Sequence, residues 1–286
     1  MALWQQPQSR PALDLESVRA RYEASFARLG APEMVAVVPG SLGPVAGEWH
    51  KADDSRVLLY FHGGGFVAGS PESHRGLVAK LVEASGVSAF VPRYRLAPEN
   101  PFPAAVRDGL DSYRALIAKG VPAQSILLAG DEAGGGLAFA VALAARNAGL
   151  DRPGGVAALS PWADLALSGL SILGNRASDP HLGWEPLFLC ARHYLKKSNP
   201  CDVYASPAFA SLKDFAPVMV HAGSVEILRD DASKLGDRAA EAGVPVSVEI
   251  YDGMGHLFQV NPKLNEAKVS LMRLGQFIRS RTAVLA

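Results

Sequence analysis

The sequence has little cysteine, no excess of charge of either sign and no long apolar run. Its two cysteines, Cys190 and Cys201, form no CxxC pair and no histidine stands at zinc-ligand spacing. Free thiols in a reducing compartment are therefore expected, rather than a disulfide or a metal site. Lysine plus arginine equals aspartate plus glutamate at 28 each, which argues against binding to nucleic acid or anionic lipid. The first twenty residues lack the apolar stretch of a signal peptide, and no later segment resembles a membrane span. We predict a cytoplasmic protein without a cofactor.

Nearly half of the residues, 49%, are hydrophobic, so a chain of this length can bury one sizeable core. Short β-rich runs alternate with segments of helical length and period, an order typical of a doubly wound α/β sheet. Several runs are apolar throughout, which suits parallel strands covered on both faces. The predicted strands are 56–61, 87–91, 125–129, 156–159, 217–221 and 246–251, and the predicted helices between them are 73–84, 104–119, 136–147 and 230–242.

The alternation breaks once, between Trp162 and Pro207, over about forty residues, the length of an inserted lid. This segment contains an aromatic-rich helical pattern, 184–195, and no strand pattern. We interpret it as a cap whose partner is an N-terminal amphipathic stretch, 14–29. The chain is thus predicted to be a single domain, 1–286, with a cap formed by about 1–35 and 165–206.

The strand 56–61 runs directly into His62-Gly63-Gly64-Gly65-Phe66. Three consecutive glycines leave the backbone N–H groups uncovered, so this loop can approach and donate to a developing oxyanion. A simple glycine turn is the alternative. A phosphate loop is disfavoured, because no Gly-Lys-Ser/Thr follows and no GxGxxG opens the next helix.

A second glycine-rich junction follows the strand 125–129 and reads Gly130-Asp131-Glu132-Ala133-Gly134, then a helix. In a nucleophile elbow the central residue lies on a strained strand-to-helix turn, which needs minimal side chains two positions to either side. Gly130 and Gly134 meet this need, although Glu132 stands where a nucleophile is expected. The N–H of Ala133 is predicted to complete an oxyanion hole with Gly63 and Gly64.

Two further polar residues follow the last predicted strands. Glu226 comes soon after the strand 217–221 and His256 soon after the strand 246–251. Catalytic groups collect at the carboxyl ends of strands in open α/β sheets. The order of elbow, acid and histidine is the one expected of an α/β-hydrolase fold, so Glu132, Glu226 and His256 are the predicted catalytic residues.

On these residues the sequence resembles the hormone-sensitive-lipase-like carboxylesterases over nearly its full length. The resemblance rests on Tyr60 to Phe66, Tyr94-Arg95-Leu96-Ala97-Pro98-Glu99, Pro101 to Ala105 and Ser160-Pro161-Trp162-Ala163-Asp164-Leu165. It implies an α/β-hydrolase fold with a mostly parallel eight-stranded sheet, helices on both faces and a helical cap over a pocket for short-to-medium esters. It also implies Glu226 as the acid, His256 as the base and a homodimer by analogy. The family motif Gly-Asp-Ser-Ala-Gly departs here, because glutamate replaces serine.

A carboxylate at the elbow leaves two catalytic roles open. Glu132 could attack an electrophilic carbon, as an aspartate at the elbow does in related α/β-hydrolases that act on epoxides and haloalkanes. It could instead act as a general base toward water. A carbonyl substrate makes the best use of an oxyanion hole, so an ester or related carbonyl compound is predicted ahead of an epoxide. Charges at Glu132 and Glu226 are expected to raise the pKa of His256 and leave it largely protonated.

A third interpretation is a catalytically silenced esterase. The Glu132 carboxylate could block the site that it occupies, and the chain would then be a binding protein that keeps the pocket, or an engineered Ser-to-Glu variant. Hydrolysis of a small p-nitrophenyl ester, measured beside the Glu132→Ser variant, separates these interpretations.

Overall fold

One sheet of eight strands organises the computed structural model, which describes residues 14–27 and 35–281. The strands are β1 (Ala36–Leu42), β2 (Val45–Lys51), β3 (Asp53–Phe61), β4 (Val87–Pro92), β5 (Ile126–Asp131), β6 (Gly155–Leu159), β7 (Val218–Gly223) and β8 (Val246–Tyr251). Their spatial order is β1-β2-β4-β3-β5-β6-β7-β8, with β1–β2 and β2–β4 antiparallel and every later pair parallel. The predicted α/β class and the mostly parallel eight-stranded sheet are confirmed.

Helices cover both faces of this sheet. The α-helices in the described ranges are α1 (Leu15–Ala27), α2 (Pro71–Ser85), α3 (Ala104–Ala118), α4 (Glu132–Asn147), α5 (Ser171–Gly174), α6 (Trp184–Leu195), α7 (Arg229–Glu241) and α8 (Asn265–Arg281). Apolar side chains of α2 and α8 pack in one hydrophobic cluster, and those of α3, α4 and α7 in the other. Every residue of β4, β5 and β6 is buried, because strands covered on both faces have no solvent side.

Three elements have no counterpart among the predicted strands and helices: the hairpin β1–β2, the short helix α5 and the C-terminal helix α8. β1 lies at the sheet edge with most of its residues exposed or half-buried. It also contains Pro39 and Gly40, residues that weaken a strand pattern. An edge strand therefore lacks the continuous apolar run that revealed the central strands.

The segment between β6 and β7 contains α5 and α6 and no strand, as predicted for 162–207. The helix α1 packs against α2, and its residue Arg19 bonds to the segments that follow β3 and β4. Its guanidinium forms an ion pair with Glu99 at 2.8 Å and donates to the carbonyl oxygen of Val67 at 2.8 Å. The other residues predicted for the N-terminal part of the cap, 1–13 and 28–34, lie outside the described residues. No helix within the described ranges has the length and apolarity needed to cross a bilayer.

Candidate active site

The sheet order brings the carboxyl ends of β3 and β5 side by side. Phe61, the last residue of β3, is in register with Gly130 on β5. The glycine loop that leaves β3 therefore meets Glu132, which begins α4. The adjacent β6, β7 and β8 continue the same parallel edge, so Glu226 and His256 approach the same point from the other side.

The turn at Glu132 has the strained geometry predicted for an elbow. Glu132 has a φ of +48°, which a residue with a side chain rarely adopts. A Cβ atom on Gly130 would lie 2.3 Å from the carbonyl oxygen of Gly134, and one on Gly134 would lie 2.0 Å from that of Phe61. The two glycines are therefore required by close backbone packing, which also holds Glu132 in place.

This packing leads to a stability prediction. Gly134→Ala is expected to lower the free energy of unfolding by about 3 kcal/mol or more, because overpacking against rigid backbone cannot be relieved by a side-chain shift. Urea denaturation measures the change. Gly174→Ala is the matched control, since a Cβ atom there meets no atom within 4 Å, and a shift under about 0.5 kcal/mol is expected. Equal effects of the two substitutions would contradict this interpretation of the elbow.

The Glu132 carboxylate accepts hydrogen bonds from the glycine loop. Its Oε2 atom lies 2.5 Å from the Gly64 nitrogen and 3.0 Å from the Gly65 nitrogen. The predicted donor Gly63 is directed elsewhere, because its N–H faces Asp131 Oδ1 at 3.2 Å. The donor pair is thus shifted by one residue from the predicted Gly63 and Gly64 to Gly64 and Gly65. Ala133 lies in the first turn of α4, whose N–H groups have no partner within the helix.

A buried network below the elbow explains why Gly63 turns away. Asp131 is fully buried and accepts from the Tyr60 hydroxyl at 2.7 Å, while its Oδ2 lies 3.2 Å from His74 Nε2. Burial by itself would raise the pKa of Asp131, but the charge and hydrogen bond of His74 and the bond from Tyr60 lower it. Asp131 therefore anchors the glycine loop to the elbow through Gly63.

His256 and Glu226 form the second half of the site. His256 Nδ1 lies 2.8 Å from Glu226 Oε2, and Glu226 Oε1 accepts from the Gly223 nitrogen at 2.9 Å. Both side chains are buried. Burial would lower the pKa of His256, but the hydrogen bond and charge of Glu226, followed by the charge of Glu132, raise it above its ordinary value. The direction of the shift is the predicted one.

A cavity of about 380 Å³ opens above these groups. Its floor includes Gly64, Gly65, Glu132 and His256, and its walls come from α1, α6 and the loop segments 67–68, 181–182 and 257–260. Most of the wall is apolar, with side chains that include Val18, Phe26, Val67, Leu182 and Leu187. A cavity of this kind can take a small, largely apolar molecule.

Three site residues escaped the sequence analysis. In the sequence, Gly65 is marked only by the glycine run and Tyr22 only by an amphipathic stretch. Val18, Tyr22 and Phe26 recur at intervals of four along α1 and all line the cavity, so their helical spacing was the available signal. Asp179 accepts from the Ile227 nitrogen at 2.9 Å and so ties the segment before α6 to the Glu226 turn. No local pattern marks that contact.

The cavity lining includes the Cys190 thiol together with the Glu132 carboxylate. Within the described residues, no group of three or more histidine, cysteine or acidic side chains has an arrangement suited to a metal ion. Cys190 and Cys201 are both free. Burial raises the pKa of the Cys190 thiol to about 12, with a smaller contribution from the charge of Glu132, so this cavity-lining thiol stays protonated at neutral pH.

Comparisons with known proteins support the α/β-hydrolase fold. A family profile described as an alpha/beta hydrolase fold matches residues 58–260. An acetyl-hydrolase of Streptomyces hygroscopicus is 39% identical over 265 residues, covering 92% of this chain and 88% of the relative. An esterase of Acinetobacter venetianus is 36% identical over 250 residues, covering 86% and 82%.

Solved structures show the same similarity. A crystal structure of an esterase from the bacterial hormone-sensitive lipase family superposes with a TM-score of 0.92 at 36% identity, covering 96% of this chain and 94% of that one. The structure of EstE5 soaked with p-nitrophenyl butyrate has a TM-score of 0.91 at 36% identity, covering 98% and 95%.

Proposed function

Because the chain belongs to the α/β-hydrolase family, among the hormone-sensitive-lipase esterases, and is a carboxylic ester hydrolase, we propose that it cleaves short-to-medium esters with the Glu132 carboxylate as nucleophile. One observation carries the proposal. The Gly64 and Gly65 nitrogens hold Oε2, while the same side chain lines the cavity beside His256. Oε1 accepts no hydrogen bond from the described residues, which leaves it for the substrate.

In the first half of the reaction, Oε1 attacks the acyl carbon of the ester. The bond from that carbon to the alcohol oxygen breaks, and the leaving oxygen takes a proton from the imidazolium of His256. The pKa of His256 is raised above its ordinary value, so the residue carries this proton at neutral pH more readily than a free histidine. The product is a mixed anhydride between the acyl group and Glu132.

In the second half, the oxyanion hole comes into use. Neutral His256 takes a proton from water, and the resulting hydroxide attacks the Cδ atom of Glu132. Negative charge then develops on Oε2, which already lies against the Gly64 and Gly65 nitrogens. Preorganised donors of this kind stabilise the tetrahedral intermediate, whose collapse releases the acid and restores the carboxylate.

The substrate range follows from the walls of the cavity. We propose that α1 and the segment 165–206 act as the cap of a single domain, since Tyr22 and Phe26 of α1 and Leu187 of α6 all line the space above Glu132. A cavity of about 380 Å³ with apolar walls suits short-to-medium acyl and aryl groups.

The test is the fate of heavy oxygen in a single turnover. With enzyme in excess over p-nitrophenyl butyrate in ¹⁸O-labelled water, the nucleophilic mechanism puts the label into Glu132 and leaves the first butyrate unlabelled. Mass spectrometry of the peptide containing residue 132 measures this. Glu132→Gln is the control and must neither turn over nor acquire label. Label in butyrate alone would show general-base attack by water and overturn the proposed role of Glu132.

A second candidate, a silenced esterase that only binds its ligand, is favoured by one observation. Oε2 occupies the two N–H groups that a substrate carbonyl oxygen would need. In this case the chain forms no covalent adduct and releases no p-nitrophenol, while the ester still protects it against thermal unfolding. Ligand-induced stabilisation without product is the result that distinguishes this candidate.

A further inference from the structure

The Tyr22 hydroxyl is a buried donor in the cavity. Its oxygen is buried and, among the residues that the structure describes, has no hydrogen-bond partner. Leaving a buried hydroxyl unpaired costs about 1–3 kcal/mol, so each such group calls for a partner that the folded chain does not supply. Tyr22 lines the cavity together with Glu132 and His256, so a bound ligand can be that partner.

The same hydroxyl and the Glu132 carboxylate both lie against the glycine loop at Gly63. Tyr22 Oη and Glu132 Oε2 are each 3.1 Å from the position that a Cβ atom on Gly63 would take. The ring is fixed by stacking on Phe26, with centroids 4.7 Å apart. Burial, followed by the charges of Asp131 and Glu132, raises the pKa of Tyr22 well above its ordinary value. The hydroxyl therefore keeps its proton and remains a donor in the cavity that Glu132 also lines.

We propose that the chain also opens epoxides, with Glu132 bonding to a ring carbon and Tyr22 protonating the ring oxygen. This inference rests on the nucleophilic role proposed above for Glu132. An ester places a carbonyl oxygen in competition with Oε2 for the Gly64 and Gly65 donors. An epoxide has no carbonyl group, so the resting position of Oε2 obstructs nothing. The first step then needs a carboxylate and a separate proton donor, and the cavity contains both.

In the alkylation step, Oε1 of Glu132 forms a bond to one ring carbon, and the bond from that carbon to the ring oxygen breaks. The electron pair remains on the oxygen, which takes the Tyr22 proton and becomes a hydroxyl group. The Tyr22 phenolate recovers its proton from the imidazolium of His256, either directly or through water. The result is a 2-hydroxyalkyl ester of Glu132 and a neutral His256.

The hydrolysis step uses the remaining groups. Alkylation removes the negative charge of Glu132, one of the charges that raise the pKa of His256, so His256 becomes a base at this stage. It takes a proton from water, and the hydroxide attacks Cδ while Oε2 receives the charge beside Gly64 and Gly65. The bond from Cδ to the alkyl oxygen breaks, and the new carboxylic acid gives its proton to the departing alkoxide. Epoxide and water have become a diol.

The experiment uses styrene oxide as the probe, because its small aromatic group suits the apolar walls. Diol formation is measured by chromatography for the unchanged chain and for Glu132→Gln, Tyr22→Phe and Tyr204→Phe. Tyr204 is the matched control, since its hydroxyl contacts Asn147 and does not line the cavity. The unchanged chain and Tyr204→Phe are expected to form diol at equal rates. Tyr22→Phe is expected to be slower by about 100-fold, the scale of one lost general acid, and Glu132→Gln inactive.

If diol formation is too slow to measure, trapping the covalent adduct on Glu132 tests the same inference. His256→Gln removes the base of the second step, so styrene oxide is expected to accumulate on Glu132 and to add its mass to the peptide containing residue 132. Diol formation by Glu132→Gln, an adduct elsewhere, or equal rates in Tyr22→Phe and Tyr204→Phe would each overturn the inference.

The two proposals fail in different ways. If heavy oxygen enters Glu132 during ester turnover but styrene oxide gives neither diol nor adduct, the epoxide inference is wrong and the ester mechanism stands. If styrene oxide adds to Glu132 while the label in the ester reaction enters butyrate alone, the ester mechanism is wrong and epoxide opening stands. If neither substrate reacts with Glu132, both proposals are overturned.

Discussion

Replacing Glu132 by serine is expected to raise kcat for p-nitrophenyl butyrate by about 10²–10³-fold, the scale of one oxyanion-hole donor. The substitution frees the Gly64 and Gly65 nitrogens from Oε2 and supplies a hydroxyl whose alkoxide attacks esters better than a carboxylate does. It also removes a charge that raises the pKa of His256, so more of the imidazole is neutral and able to act as a base. Steady-state kinetics at neutral pH measures the gain.

Glu132→Ala is the control for this gain. Alanine also frees the two donors but provides no nucleophile, so turnover is expected to stay far below that of Glu132→Ser. If alanine and serine gave the same rate, the gain would come from removing an obstacle alone. If serine gave no gain at all, Gly64, Gly65 and His256 would not form a working esterase site around position 132.

Removing the acid is expected to lower the rate strongly. In the Glu132→Ser background, Glu226→Gln should lower kcat by about 10²–10⁴-fold, because glutamine cannot stabilise the imidazolium that forms or hold the productive tautomer of His256. Glu226 contacts Nδ1 of His256 at 2.8 Å and is itself fully buried, so this contact is shielded from solvent.

The same substitution has a pH signature. In the serine variant His256 must be neutral, so kcat/KM rises with pH through the pKa of His256. Burial lowers that pKa, while the hydrogen bond and charge of Glu226 raise it. Glu226→Gln removes the raising contribution, so the rising limb of the profile should move to lower pH as the plateau falls. Without this shift, the loss in rate could be a loss of structure.

Glu249→Gln is the matched control for that substitution. Glu249 also accepts hydrogen bonds, from Tyr251 at 2.7 Å and from Arg273 at 2.6 Å, but it does not line the cavity. Its substitution is expected to change kcat by no more than about twofold, as for a change far from a site. A loss comparable to that of Glu226→Gln would mean that β8 as a whole, rather than the acid, controls the rate.

The central strands and the helix α6 were predictable because their signals are local. β8 and α6 begin and end at the predicted residues, 246–251 and 184–195. α4 begins at Glu132, whereas the sequence predicted a start at 136. The glycines at 134–136 weaken the helical pattern in the sequence, so the predicted helix started too late. Backbone packing against Phe61 and Trp162 leaves no room for larger residues there, and this contact is invisible in sequence.

Motif order predicted which residues meet, but not how they contact one another. Glu132, Glu226 and His256 lie at the carboxyl edge of one parallel sheet, where chain order and strand order bring them together. The choice of Gly65 over Gly63 as a donor depends on Asp131, which turns the Gly63 N–H away. Side-chain hydrogen bonds between distant segments set such details, and a linear pattern does not encode them.

The sequence by itself determined the fold class, the elbow and the chemical types at the site, because hydrophobic period, glycine spacing and motif order are properties of short segments. Only the tertiary structure decided that Oε2 rests on Gly64 and Gly65, that Tyr22 faces the same cavity, and that Asp179 holds the Glu226 turn. These contacts join residues far apart in the chain, so their distances exist only once the sheet and its covering helices have packed.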